Sequence, residues 1–76
     1  MGYKPIDTKC WIKFLTHQGF KRDRIKGSHY IWKKKGYRPI PVWENEKQIP
    51  AMHIKTSSVT LNVTIEYIED WVKENC

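Results

Sequence analysis

The stretch Lys26-Gly27-Ser28-His29 constrains this chain more than any other. A basic run, Lys21-Arg22-Asp23-Arg24-Ile25-Lys26, leads into the glycine, and a strand-like segment, Tyr30-Ile31-Trp32, follows the histidine. Glycine permits a tight reversal that a side chain would oppose, so the two segments read as strands joined at Gly27-Ser28. His29 then begins a strand at the edge of a turn, where the sheet holds its ring and solvent reaches it. Imidazole gives and takes protons near neutrality. Set among cationic neighbours, it suggests proton transfer on a polyanion.

The chain has 76 residues, enough for one domain over 1–76 with a small core. No run of about 18 apolar residues exists, so no membrane span is expected. The start, Met1-Gly2-Tyr3-Lys4-Pro5-Ile6, lacks a signal peptide's apolar stretch, and position 6 lacks the hydroxyl residue of a myristoylation motif. A cytoplasmic location is the expectation. Cys10 and Cys76 form no CxxC pair and are too few for a disulfide framework or a zinc site. Cys10 therefore reads as a small packed hydrophobe and Cys76 as a tail thiol. No bound metal and no cofactor are expected.

Charge is distributed unevenly. Residues 1–42 carry eleven Lys/Arg against two acids, and residues 43–76 carry three against six, which together give the net +6. A basic half that also holds Tyr30, Trp32 and Tyr37 fits phosphate and base contacts. A lysine-rich surface that serves only solubility fits equally well.

Local signals divide the chain into elements. Asp7 reads as the N-cap of a helix over 8–18, with Ile6 stapled onto Trp11 and Cys10, Trp11, Phe14 and Leu15 as the buried stripe. Gly19 and Phe20 supply a Schellman ending, Phe20 reaching back to Leu15. Phe20 to Ile25 reads as a charged edge strand, Tyr30 to Lys34 as a second strand, and Tyr37 to Val42 as a third after a turn at Lys35-Gly36. Alternation puts Ile40 and Val42 on one face and Tyr37, Pro39 and Pro41 on the other, and the prolines restrict this strand to an edge. Either Tyr30 and Trp32 or Ile31 faces the core. Glu44 to Gln48 reads as a polar loop.

A second helix over 51–61 is intrinsically weak, and contacts of Met52, Val59 and Leu61 would have to hold it. A strand over Ser58 to Val63 competes with it. Asn62 suits a left-handed helix end, and Thr64 caps a third helix over 65–74 with Ile65, Ile68, Trp71 and Val72 buried. The order α-β-β-β-α-α predicts an α+β fold, a three-stranded antiparallel sheet with helices on one face.

Gly19-Phe20, Arg24, Lys26-Gly27-Ser28-His29, a short hairpin ending Pro41-Val42 and then a helix resemble the HicA (YcfA-like) toxin family over residues 7 to 62. The resemblance implies a fold similar to a double-stranded-RNA-binding domain, cleavage of mRNA without the ribosome, and a HicB-type antitoxin that covers the active site. It places the catalytic role on His29, with Gly27 and Ser28 shaping its surroundings. Where the family commonly shows a second histidine after the third strand, this chain has Trp43.

RNA can be cut by its own 2′-hydroxyl if the protein moves a proton and stabilises charge on the phosphorane. His29 would act as acid or base, Arg24 and Lys26 would supply charge, and Ser28, Lys33, Lys34 and Lys35 would complete the RNA contacts. Ser28 is not read as a nucleophile, because no acid orients the neighbouring His29 and adjacent strand residues point to opposite faces. His17, in the last turn of the first helix, reads as a helix-terminal charge, and His53 as structural or surface. A non-catalytic RNA-binding module using the same basic face is the alternative. A protein-interaction domain docking through its aromatic patch is a third reading.

Overall fold

The computed structural model describes residues 4–76. The readings made at Met1 to Tyr3, on leader and lipidation signals, lie outside them. The first strand, β1 (Ile6–Asp7), runs directly into α1 (Thr8–His17). A hairpin sheet follows, β2 (Lys21–Lys26), β3 (His29–Lys33) and β4 (Ile40–Val42). Then come β5 (Gln48–Ile49), α2 (Ala51–Leu61) and α3 (Ile65–Asn75).

Helix α1 buries the stripe that its periodicity marks: Cys10, Trp11, Phe14 and Leu15 are all inside. Its end is a full Schellman motif. Phe20 N–H donates to Leu15 O at 2.9 Å and Gly19 N–H to Thr16 O at 3.0 Å, with Gly19 at φ +92°. Its start differs from the expectation. Asp7 stands at the N-cap but its side chain makes no capping bond. Asp7 is instead paired across β1–β5 with Gln48, whose Nε2 donates to Asp7 Oδ1 at 3.3 Å. Thr8 ties the helix start to the loop before β5, donating its N–H to Lys47 O at 2.9 Å and its hydroxyl to Glu46 O at 2.6 Å. Residues 44–47 form the expected polar loop, and only its last residue, Gln48, enters the β1–β5 ribbon.

The main sheet has the order β2-β3-β4, all antiparallel, so β2 and β4 are both edges. Trp32 sits opposite Ile40 and Tyr30 opposite Val42, and this face joins the core with Trp11, Phe14, Leu15, Ile54 and Ile68. The open question of strand facing resolves in favour of Tyr30 and Trp32 as core-facing. The third strand is shorter than expected. A turn closed by Tyr37 N–H to Lys34 O at 3.0 Å, with Gly36 at φ +87°, leaves Tyr37 to Pro39 outside the ladder. Pro39 could not donate to it in any case.

Helix α2 has the expected bounds but only one of its three expected anchors, Leu61. Met52 and Val59 are 76% and 74% exposed, and the helix is held through Ile54, Ser57, Ser58 and Leu61. Two of its hydroxyls turn back onto the helix, Thr56 to Met52 O at 3.1 Å and Ser58 to Lys55 O at 2.6 Å, which satisfies them without stabilising the helix, so its buried residues hold it. Asn62 ends it at φ 59°, which removes the competing strand over Ser58 to Val63. Thr64 Oγ1 then accepts from Tyr67 N–H at 3.0 Å and starts α3, with Ile68 fully buried. Trp71 meets Phe14 edge-on, ring centroids 5.3 Å apart.

Cys10 and Cys76 are joined in a disulfide, their Cα atoms 6.2 Å apart. This corrects the reading of Cys76 as a tail thiol. Cys10 is buried as expected, but as one half of a bond that ties the end of α3 to α1. Lys13 Nζ reinforces the junction by donating to Asn75 O at 2.9 Å. Among the described residues, no helix is long and apolar enough to cross a membrane.

Candidate nucleic-acid interface

The face of the sheet turned away from the helices carries the polar residues that the sequence singled out. Register places His29 opposite Lys26, Ile31 opposite Arg24 and Pro41, and Lys33 opposite Lys21. Gly27 at φ +65° and Ser28 form the two-residue loop between Lys26 and His29, glycine first as a primed hairpin turn requires. A ladder irregularity between Arg22 and Arg24 lets Arg22 lie opposite Trp32 and Arg24 opposite Ile31. Ile31 is buried yet stands apart from the core cluster, giving this face an apolar centre ringed by cations.

The cations differ in how committed they are. Arg24 and Lys33 share the exposed Asp23 at 3.8 and 3.6 Å. Exposed pairs of this kind are worth about 0–1 kcal/mol, so a phosphate can take either partner. Lys26, Ser28 and Lys35 are exposed at the hairpin tips. Lys34 is placed differently: its Nζ donates to Gln18 O at 2.7 Å and lies 4.8 Å from the centre of the Tyr37 ring. It serves the C-terminus of α1, where a cation meets unpaired carbonyls, and leaves the basic face to its neighbours.

Arg22 is likewise engaged. It forms a two-pronged ion pair with Glu44, whose Oε2 also accepts from Trp32 Nε1 at 2.8 Å. The guanidinium covers the Tyr30 ring at 4.6 Å. Hydrogen bonding to the Glu44 carboxylate pushes its pKa above an already high ordinary value. This cluster closes the open edge of the core and does not belong to the outer face.

His29 is half-buried and stacks on Trp43, ring centroids 4.5 Å apart and planes 29° apart. Trp43 in turn meets His53, in the first turn of α2, at 5.2 Å. A small cleft of about 130 Å³ opens beside this stack, lined by Pro41, Trp43, His53, Thr56 and Ser57. Sequence reasoning read His53 as structural or surface, and the docking of α2 brings it next to Trp43. His17 is remote from this group and lies against Trp71 at 5.2 Å. Among the described residues no cluster of three His, Cys, Asp or Glu could hold a metal ion.

The arrangement can bind a polyanion on an exposed basic sheet face and present an imidazole at its margin. Comparisons with protein-family models, with curated proteins and with solved structures gave no match.

Proposed function

We propose that this chain is a ribonuclease toxin of the HicA kind, a metal-independent endoribonuclease that cuts mRNA with His29 as acid or base. The reading includes a double-stranded-RNA-binding-domain-like fold, a cytoplasmic site of action and a HicB-type antitoxin that covers the basic face. One observation carries it. His29 opens β3 beside the Gly27-Ser28 turn, half-exposed on the sheet face opposite the core, which also carries Arg24, Lys26 and Lys33.

The chemistry follows from what RNA supplies. Its 2′-hydroxyl is the nucleophile, so the protein needs to transfer protons and neutralise the phosphorane. An imidazole at the strand edge does the first, and side chains bound only to Asp23 can do the second. Acid–base help from one group gives about 10²–10⁴-fold. The stacking of His29 on Trp43 favours a second reading, an RNA-binding module in which the ring only packs.

Purified protein incubated with single-stranded RNA in EDTA decides between them. Fragments whose yield grows with time support the toxin, and binding without fragments supports the module. Expression of the wild-type chain should arrest growth, and co-expression of a HicB-type antitoxin should relieve it.

A further inference from the structure

We propose that His53 is a second catalytic residue of this site, paired with His29 on the two sides of one cleavage reaction. The inference rests on the ribonuclease reading and adds a residue that no local pattern singles out.

Three rings in a row, His29, Trp43 and His53, join the strand edge to the first turn of α2. The centroid distances of 4.5 and 5.2 Å bound how far apart the two imidazoles lie, with a single indole between them. Both histidines are half-buried. The cleft of about 130 Å³ beside Trp43 gives access to His53, and its other walls are Pro41, Thr56 and Ser57. None of these side chains carries a charge. On the other side, the residue paired with His29 is the exposed Lys26.

RNA transesterification needs two proton transfers at opposite ends of the phosphorus. One imidazole takes the proton of the 2′-hydroxyl as its oxygen attacks phosphorus. The other gives a proton to the 5′-oxygen as the phosphorus–oxygen bond breaks. The products are a 2′,3′-cyclic phosphate and a free 5′-hydroxyl, and the two histidines end with their protonation exchanged. A single histidine would have to leave one of these transfers to water. Acid–base groups act through hydrogen-bond reach, about 2.6–3.2 Å each, so the two imidazoles would engage opposite oxygens of a phosphodiester laid across the edge of the Trp43 indole. Trp43 is then a positioning residue: it orients both rings without touching protons.

The test uses two variants chosen to separate packing from chemistry. His53→Phe keeps an aromatic ring against Trp43 and removes both nitrogens, and His53→Gln keeps polarity without proton transfer near neutrality. Cleavage of an RNA in EDTA is measured from about pH 5 to pH 9, the range in which imidazole titrates. RNA affinity and thermal melting are measured alongside. We expect wild type to show a bell-shaped profile. The His53→Phe variant should fold, bind RNA within a few-fold of wild type, lose at least about 10²-fold in kcat and lose one limb of the bell. If the Gln variant folds poorly, the Phe variant decides. A folded His53→Phe variant with the wild-type rate and both limbs overturns the proposal and leaves His29 as the lone proton carrier. A wild-type chain that binds RNA and never cuts it overturns the ribonuclease reading itself, an outcome distinct from the first.

Discussion

Opening the Cys10–Cys76 disulfide should cost the domain about 4 kcal/mol, by the chain-entropy relation for closed loops. The bond spans a sequence separation of 66, so it holds most of the chain in one loop. The relation gives about 3 kcal/mol for a 15-residue loop and about 4.7 for 100 residues, and this loop falls between them. For a domain of this size each kcal/mol moves Tm by roughly 4–8 °C, so reduction should lower it by roughly 15–30 °C. Cys76→Ser is the clean perturbation, because Cys76 is exposed and its replacement leaves only a terminal hydroxyl in water. Cys10→Ser should cost more, since it also buries a hydroxyl within the core cluster, an added penalty of about 1–3 kcal/mol. The assay is thermal unfolding of the oxidised chain, the chain with a thiol reductant, and Cys76→Ser. Reduced wild type and Cys76→Ser should coincide, well below the oxidised form. Coincident curves for oxidised and reduced wild type would refute the reasoning. Cytosolic thiols are kept reduced, so in the proposed compartment the lower stability is the one that applies.

Gly19→Ala should destabilise by about 1–2 kcal/mol in urea unfolding, because Gly19 sits at φ +92° and an added Cβ would lie 3.3 Å from Lys34 Cε. Glu44→Ala should cost about 1–3 kcal/mol in the same assay, since it leaves the buried Trp32 Nε1 without its acceptor. On the arginine side this cluster should be insensitive to ordinary pH. A cation whose pKa is raised on folding contributes fully below its unfolded value and loses that only on alkaline titration past it. Changing Arg24, Lys26 and Lys33 together to Gln should flatten the dependence of RNA affinity on salt. Each lost phosphate contact on a single strand removes about 0.7 from the slope, so roughly two units should go, read by titration at several salt concentrations.

The parts of the fold legible in the sequence are those fixed by neighbours along the chain. Gly19-Phe20 and Thr64 terminate helices through bonds that reach only a few residues, and they do so as their residue types require. Gly27-Ser28 likewise sets the β2–β3 register locally. What stayed hidden depends on residues far apart. Two strands of two residues each, β1 and β5, are too short for alternation to mark them. Cys10 and Cys76 meet only because α3 folds back across α1 through Ile68 and Trp71. Met52 and Val59 looked like anchors because they are apolar, yet the rotation of α2 was decided by Ile54 and Leu61. At the candidate site, His29 and its basic neighbours were readable from turn and charge. His53 was not, because nothing within its own segment points to Trp43. The contact of Lys34 with the end of α1 was hidden for a related reason: its partner lies sixteen residues earlier.

The most direct test of the central claim compares wild type with His29→Ala for RNA cleavage and RNA binding in EDTA. His29 sits at a strand start and is partly exposed, so its removal leaves little cavity, and the cations that hold RNA stay in place. The account predicts a folded variant that binds RNA nearly as wild type does and produces no fragments, while His17→Ala cuts normally. A folded His29→Ala variant that cuts RNA at the wild-type rate would contradict it.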